Sequence, residues 1–136
     1  MKIRKYQEND RDNLISLWEE AFPDDPPHNK PSKVIGEKLA VDDLIFVAAD
    51  DEGIAGACIS GYDGHRGWLY AVAVSQDRRR DGIGTSLVKH AVNNLKERGC
   101  IKINIQIRTT NTTVVDFYKH LGFAIEDRVS MGIFVG

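Results

Sequence analysis

A cluster of arginine and glycine residues lies past the middle of the chain, at Arg78–Thr85, and reads RRRDGIGT. It follows an apolar run typical of a strand and precedes a segment with helical spacing of apolar residues. The first turn of a helix has backbone N–H groups without intrahelical partners and carries the positive end of the helix dipole. Gly82 and Gly84 let a ligand approach these groups, and arginine adds charged donors. The pattern is typical of an anion site, and a pyrophosphate is the natural ligand.

Two common phosphate-binding loops do not match this segment. No Gly-Lys-Ser/Thr follows the glycines, as a P-loop requires, and no third glycine stands at the dinucleotide-fingerprint position. Short glycine motifs also recur by chance. From these residues alone, a plain strand-to-helix turn with surface arginines therefore remains an open interpretation.

Hydrophobic periodicity predicts a strand meander followed by two strand–helix units. The strand segments are KIRKY, LIFVAAD, IAGACISGY, WLYAVAV, IKINIQI and, at the end, MGIFVG. Helices are predicted after Asp10, which we expect to act as a cap, over about residues 32–39 and 83–98, and in TVVDFYKHL. Gly99 and Gly122 are expected to end the last two helices. With no linker or repeat, we expect an α/β (α+β) fold in a single domain, residues 1–136.

Composition excludes several classes of protein. The chain has 136 residues and a net charge of −2, so its overall charge does not indicate nucleic-acid binding. No apolar run approaches the roughly 20 residues of a membrane-spanning helix, and the amino terminus lacks the apolar core of a secretory signal. Cys58 and Cys100 lie in apolar runs without disulfide or metal spacing, so we expect both to be buried. We therefore expect a cytoplasmic protein with no membrane, nucleic-acid or metal partner.

Two spaced motifs resemble the GNAT N-acetyltransferase superfamily. Val74, four intervening residues and then Arg79-x-x-Gly82-x-Gly84 at a helix start look like its acetyl-CoA signature. Downstream, INIQIRTTNTTVVDFYKHLGF resembles its second signature, a strand, an asparagine and a helix with a tyrosine before a Leu-Gly-Phe end. GYDGHRG is similar to the YpeA-like bacterial members. The resemblance covers nearly the whole chain and implies a mixed central sheet of about six to seven strands, helices on both faces and splayed central parallel strands.

The resemblance implies acetyl-CoA as the cosubstrate and attack of a primary amine on its thioester. The pantetheine arm would pair with the backbone of the central strand, and the pyrophosphate would lie on the glycine turn. Tyr118 occupies the family's position for the general acid. Asn111 would bond to the cofactor arm or to local backbone, Arg80 could equally reach the 3′-phosphate, and we expect Arg78 to face solvent. The implied cofactor-binding residues are Val72, Ala73, Val74, Arg79, Arg80, Gly82, Gly84, Thr85 and Asn111.

The general base stays unassigned at this stage. Many family members carry a glutamate on the central strand, but Tyr70 stands at that position here. Asp63, His65, a carboxylate from elsewhere or a water chain could act instead, or the amine could react from its minor neutral population. Because this carboxylate is missing, a module that binds acyl-CoA without catalysis is the alternative function.

The acceptor is expected to be an amine of a small molecule or a protein. The first helix and the loop FPDDPPHNKP would line its side of the site. Phe22, Asp24 and Asp25 could meet a cationic amine, although a solvated acidic loop is the other interpretation. Trp68 and Tyr70 could add an aromatic wall or fill the core. An exposed strand edge at the carboxyl end could pair with a second chain in a homodimer.

Overall fold

The computed structural model describes residues 1–79 and 81–136. Contacts divide the chain into unit 1, Met1–Gln106, and unit 2, Ile107–Gly136. None of the described helices is long and apolar enough to cross a membrane. Unit 2 contains helix α4 (Thr112–His120). Unit 1 contains β1 (Lys2–Lys5), α1 (Arg11–Ala21), α2 (Pro31–Leu39), β2 (Ile45–Asp50), β3 (Gly53–Tyr62), β4 (Gly67–Val74), α3 (Ile83–Glu97) and β5 (Ile103–Ile105).

The strands of unit 1 form one mixed sheet in the order β1-β2-β3-β4-β5. Neighbours are antiparallel except β4 and β5, which are parallel. The predicted mixed α/β architecture is confirmed, but the expected six to seven strands are wrong: the described residues form 5. The segment 131–136, predicted as a last strand, is not a strand. Its Gly132 and Gly136 supply no side chains for cross-strand contacts, which weakens its strand tendency.

Helices cover both faces of this sheet. Ile59 of β3 belongs to a buried cluster with Trp18 of α1 and Ile35 of α2. Strand residues an odd number of positions apart face opposite sides, so Gly56 faces away from this cluster. A Cβ atom at Gly56 would come within 2.9 Å of Leu87 Cδ1 in α3. Helices α1 and α2 therefore pack on one face, and α3 packs on the other.

Strand β4 contains a β-bulge at its centre. Between Tyr70 and Ala73 it has one residue more than the β3 segment that pairs with it. Ala71, inside the bulge, has a φ of 52°, a left-handed conformation that is uncommon for a residue other than glycine. The indole Nε1 of Trp18 donates a hydrogen bond of 2.9 Å to the Ala71 carbonyl oxygen. Helix α1 therefore holds the bulge in place.

The predicted helix ends are confirmed, whereas the predicted cap is not. Gly99 and Gly122 follow α3 and α4 with φ values of 94° and 96°. Asp10 precedes α1, but its side chain makes no capping bond to that helix. It accepts two hydrogen bonds from Arg4, at 2.7 and 3.0 Å, and one from the Gln7 backbone N–H. The Arg4 bonds hold the pKa of the Asp10 carboxyl below its usual value. A charged donor binds a carboxylate more strongly than the neutral amides of a helix end do.

Replacing Trp18 by phenylalanine keeps an aromatic ring in the core and removes the indole donor. The Ala71 carbonyl then loses its partner in a partly buried site, so we expect the free energy of unfolding to fall by about 1–3 kcal/mol. Urea unfolding followed by circular dichroism measures the change. Trp68→Phe is the matched control, because Trp68 is 37% exposed, and its loss should stay below about 0.5 kcal/mol. Equal losses in the two variants would contradict the role given to Trp18.

Candidate active site

Gly82 immediately precedes α3 and lies in the segment 79–85, which we call the glycine turn. Its φ of 73° and ψ of 17° lie in the left-handed region that glycine adopts without steric cost. Helix α3 begins at Ile83, and the Ser86 N–H donates to the Gly82 carbonyl at 3.1 Å. The amides of Gly82 to Thr85 come earlier and have no intrahelical acceptor. No acidic side chain lies in the first turn of α3. The turn therefore presents donors suited to an anion.

Contacts with β3 hold the chain on both sides of this turn. Ile83 and Leu87 are buried, and a Cβ atom at Gly56 of β3 would come within 3.0 Å of Ile83 Cγ2. A larger residue at position 56 would push α3 away from the sheet. On the other side, just after β4 and before the turn begins, the Ser75 N–H donates a 2.8 Å hydrogen bond to the Ala55 carbonyl. The direction of the first-turn amides is thus set by the sheet.

Strand β4 separates from β5 after three residues. Pairing begins at Gly67, and the last pair in the register is Leu69 with Ile105. Because β4 continues to Val74, its second half has a strand neighbour, β3, on one side only within the described part of the chain. We call the other side the open edge. An extended ligand can bind such an edge as an added strand.

Hydrogen bonds to β3 show which groups of β4 face the open edge. Ser75 donates to Ala55, so its main-chain groups turn toward β3. Hydrogen-bonded pairs recur at every second residue of an antiparallel ladder, so the groups of Ala73 also turn toward β3 and those of Val74 turn to the open edge. Val72 lies in the bulge, without a β3 partner in the register. Of the three residues predicted to bind the arm, Val74 therefore turns its main-chain groups to the open edge, whereas Ala73 turns its groups to β3.

Two arginines, Arg79 and Arg80, follow β4 in the sequence. Arg79 is exposed, and its Nε donates a 3.3 Å hydrogen bond to the Val74 carbonyl. A cation therefore lies beside the open edge, where the arm of an anionic ligand would pass. Arg80 lies outside the described residues, so its role at the pyrophosphate or the 3′-phosphate stays a prediction.

Arg78 does not face solvent as expected. Its Nε donates to Asp81 and its Nη2 donates to Asp50, each at 3.0 Å. The planar guanidinium can hold two carboxylates at once, which explains why it turns inward. The i,i+3 spacing to Asp81 was a local signal for this pair, but the contact with Asp50 at the end of β2 had none.

In unit 2, Asn111 and Tyr118 belong to the start and the last turn of α4. Asn111 Oδ1 accepts from the Val114 N–H at 3.4 Å, so it bonds to local backbone, one of its two expected roles. Tyr118 is buried, and its ring makes edge-to-face contacts with Phe117 and Phe123 at centroid distances of 4.9 and 5.2 Å. These contacts orient the ring. The acid role of Tyr118 and the cofactor contact of Asn111 stay predictions.

Tyr70 occupies the position on β4 where the family resemblance would place a glutamate base. It pairs with Ile59 and therefore faces the α1–α2 side of the sheet, where it is 45% exposed. Burial raises the pKa of the Tyr70 phenol above its usual value, and the negative charge of Asp42 adds to the rise. Tyr70 therefore stays protonated at neutral pH and is not a base.

A buried ion pair lies on the same face. The Lys38 ammonium is 2.8 Å from Asp42 Oδ1, and the Lys38 side chain is only 7% exposed. A Cβ atom at Gly61 would be 3.5 Å from Lys38 Nζ, and Gly61 pairs with Trp68 across the sheet. The sequence pattern did not identify this pair, although its i,i+4 spacing was a usable signal.

The turn between β3 and β4 contains the other two candidate bases. Asp63 Oδ1 accepts from the backbone N–H groups of Arg66 and His65 at 2.7 and 2.8 Å. These two bonds hold the pKa of the Asp63 carboxyl below its usual value. His65 Nε2 is 2.8 Å from Arg66 Nη1. Asp63 therefore shapes the turn and is a weak base.

The cysteines are buried, as predicted. Burial raises the pKa of the Cys58 thiol to about 12, so the thiolate that a nucleophile needs does not form. Within residues 1–79 and 81–136, no three His, Cys, Asp or Glu side chains are grouped to hold a metal ion.

Known proteins share both the sequence and the fold. The model of the acetyltransferase (GNAT) family matches residues 11–123. An acetyltransferase of Yersinia enterocolitica is 36% identical over 133 residues, which cover 97% of this chain and 94% of that protein. An acetyltransferase of Sodalis glossinidius is 36% identical over 130 residues, which cover 95% and 91%.

Solved structures agree on the fold. A putative acetyltransferase from Agrobacterium tumefaciens superposes with a TM-score of 0.79 at 21% identity, covering 99% of this chain and 100% of that chain. AAC(6')-Iy in complex with the bisubstrate analog CoA-S-monomethyl-acetylneamine also gives a TM-score of 0.79, at 18% identity, with 99% and 98% covered. The family match includes both signature motifs, so the resemblance seen in the sequence is confirmed. This chain belongs to the GNAT acetyltransferase family and is an acyltransferase that uses acetyl-CoA as its cosubstrate.

Proposed function

We propose that this enzyme transfers the acetyl group of acetyl-CoA to a primary amine of a small molecule or a protein, by direct attack of the amine on the thioester. The observation that carries the proposal is the order of two features along the chain. The open edge of β4 ends at Val74, and the glycine turn follows after four intervening residues. Main-chain groups for an amide-bearing arm are thus followed by helix amides for a pyrophosphate.

Two further observations support the proposed domain organisation and cellular location. The family match over residues 11–123 extends into both units, which supports a single N-acetyltransferase domain over residues 1–136. Cys58 and Cys100 are free and buried, which supports a cytoplasmic location, where thiols stay reduced.

Acetyl-CoA supplies an activated acetyl group and an anionic diphosphate to this site. In the proposal the outward-facing main chain of Val74, next to the bulge at Val72, holds the arm, and the amides of residues 82–85 hold the diphosphate. Arg79 and Arg80 add positive charge beside it, and Asn111 completes the set. Most of these contacts come from main-chain groups, whose positions depend on the bulge and on Gly82 more than on side-chain identity.

The chemistry requires two proton transfers. The acceptor amine must be unprotonated when it attacks, and the departing thiolate must gain a proton. Tyr118 is our candidate for the proton donor. Phenol and thiol reference pKa values of about 10 and about 8.5 give the transfer little driving force, so the orientation of the ring must contribute. Because Tyr70 stays protonated, it does not deprotonate the acceptor amine. We propose that the amine enters in its neutral form and that its placement next to the thioester accelerates the attack.

Gly84→Glu places a side chain and a negative charge in the first turn of α3. We expect this variant to fold and to lose its stabilisation by acetyl-CoA, because the added charge repels the diphosphate. For the original chain, acetyl-CoA at about a hundred times its dissociation constant should add about 2.7 kcal/mol, or several degrees in melting temperature. Thermal unfolding with and without acetyl-CoA measures this shift, with ATP as the comparison ligand.

The matched control is Gly36→Glu. Gly36 also lies inside a helix, α2, and, apart from its chain neighbours and the backbone of its own helix, no described atom comes within 4 Å of its Cβ position. This variant should keep the full shift with acetyl-CoA. A shift retained by Gly84→Glu, or an equal shift with ATP in the original chain, would argue against the anion site.

Tyr118→Phe removes one hydroxyl and keeps the ring that contacts Phe117 and Phe123. We expect kcat to fall by about 10²–10⁴-fold, with a smaller change in acetyl-CoA affinity, because the lost hydroxyl is the proposed proton donor to the leaving thiolate. Thiol release across a panel of amines gives kcat, and calorimetry gives the affinity. Tyr6→Phe, which removes a surface hydroxyl bonded to Glu8, should leave both unchanged. An unaltered kcat in Tyr118→Phe would remove it from the acid role.

A further inference from the structure

One guanidinium joins two segments of unit 1 next to the glycine turn. Arg78 Nε lies 3.0 Å from Asp81 Oδ2, and Nη2 lies 3.0 Å from Asp50 Oδ2. Nη1 lies 3.7 Å from Glu52 Oε2. The Arg78 side chain is 25% exposed and that of Asp50 is 23% exposed, so this contact is better shielded from water than an ordinary surface pair. Arg78 is therefore held between Asp81 and the end of β2.

Asp81 is the acidic residue next to the anion-binding amides in sequence. It immediately precedes Gly82, and no acidic side chain lies in the first turn of α3. A carboxylate at this point repels a diphosphate on the same amides, because like charges at short range oppose each other. Its charge must be compensated for the turn to bind an anion well.

The described partners of the Arg78 guanidinium are carboxylates, as expected of a cation that compensates this charge. Two of its nitrogens are taken by carboxylates on the β2–β3 hairpin and at Asp81. Asp50 is fixed in turn, because its Oδ1 accepts from the Glu52 N–H at 2.9 Å. This backbone bond, and next the bond from Arg78, hold the pKa of the Asp50 carboxyl below its usual value. Asp50 therefore stays charged and keeps Arg78 in place beside Asp81.

We propose that Arg78 is a positioning residue for acetyl-CoA binding, which draws the Asp81 carboxylate away from the diphosphate and neutralises it. Asp50 is the anchor that aims the guanidinium. The inference rests on the proposed binding of the diphosphate by the amides of the glycine turn. It adds Arg78, which would affect acetyl-CoA binding only by changing the position and the net charge of the Asp81 pair.

The test is a double-mutant series read by calorimetric binding of acetyl-CoA. Arg78→Ala frees the Asp81 carboxylate and should weaken binding about tenfold. Arg78→Ala combined with Asp81→Asn should restore affinity to within about twofold of the original chain, because no charge is left to repel the ligand. Arg78→Ala combined with Asp50→Asn should not restore it. Asp81→Asn alone should bind about as well as the original chain, since its charge is already neutralised.

Two controls separate this role from simpler ones. Arg66→Ala removes the same charge from the β3–β4 turn and should leave binding unchanged. Raising the salt concentration should shrink the defect of Arg78→Ala, because ions screen an exposed carboxylate. Circular dichroism and melting curves establish that each variant is folded. Arg78→Gln, which keeps donors but loses the charge, replaces Arg78→Ala if the latter does not fold.

Each failure has a distinct meaning. If the original chain does not bind acetyl-CoA, the proposed diphosphate site falls, and the role of Arg78 falls with it. If the original chain binds but neither Arg78→Ala nor Arg78→Gln is weakened, only the present inference is overturned. It is equally overturned if Asp81→Asn fails to rescue the defect, because Arg78 would then act through the hairpin alone or as a direct ligand.

Discussion

The hydrogen bond from the Trp18 indole to the Ala71 carbonyl determines the course of β4, and the proposed binding groups depend on that course. A non-glycine residue in a left-handed conformation is unfavourable, so the bulge needs an interaction that offsets its cost. The extra residue also changes which side chains share a face. Tyr70 and Ala73 are three positions apart, yet they pair with Ile59 and Ala57 and face the same side. A regular strand would place them on opposite faces.

At the glycine turn, which follows β4, the attraction of an anion depends on charges and dipoles at short range. The chain carries a net charge of −2, so its overall field does not attract an anion. Attraction must come from oriented amides and from a few arginines at short range, where charges are least screened. In such a site one uncompensated carboxylate matters, and Arg78, which pairs with Asp50 and Asp81, places a positive charge next to the carboxylate that precedes Gly82.

What could be predicted from the sequence was mainly local. The glycine turn, the start of α3 and its end at Gly99 depend on neighbours within a few residues, and the structure confirms them. The contacts that position the site connect distant residues: Trp18 and Ala71 are 53 positions apart, and Arg78 and Asp50 are 28 apart. No periodicity spans such distances. The prediction of a strand at 131–136 was wrong because it used only the local apolar run. Whether a segment becomes a strand also depends on a partner strand, which a local pattern does not reveal.

The same distinction explains why the cosubstrate can be assigned before the acceptor. In the proposed site, main-chain groups bind the diphosphate and the amide-bearing arm, so the corresponding sequence motif consists of glycines at a fixed spacing. We expect an acceptor to be selected by side chains on the α1–α2 face, where Tyr70 and Trp68 are partly exposed beside the Lys38–Asp42 pair. The pair is neutral as a whole, and its carboxylate, at 25% exposed, is more accessible than its ammonium at 7%. An amine that approaches this face therefore meets aromatic rings and a negative oxygen first, and both attract a cation. Because the attacking nitrogen must itself be neutral, any positive charge that this face attracts would have to lie elsewhere on the acceptor or be lost before attack.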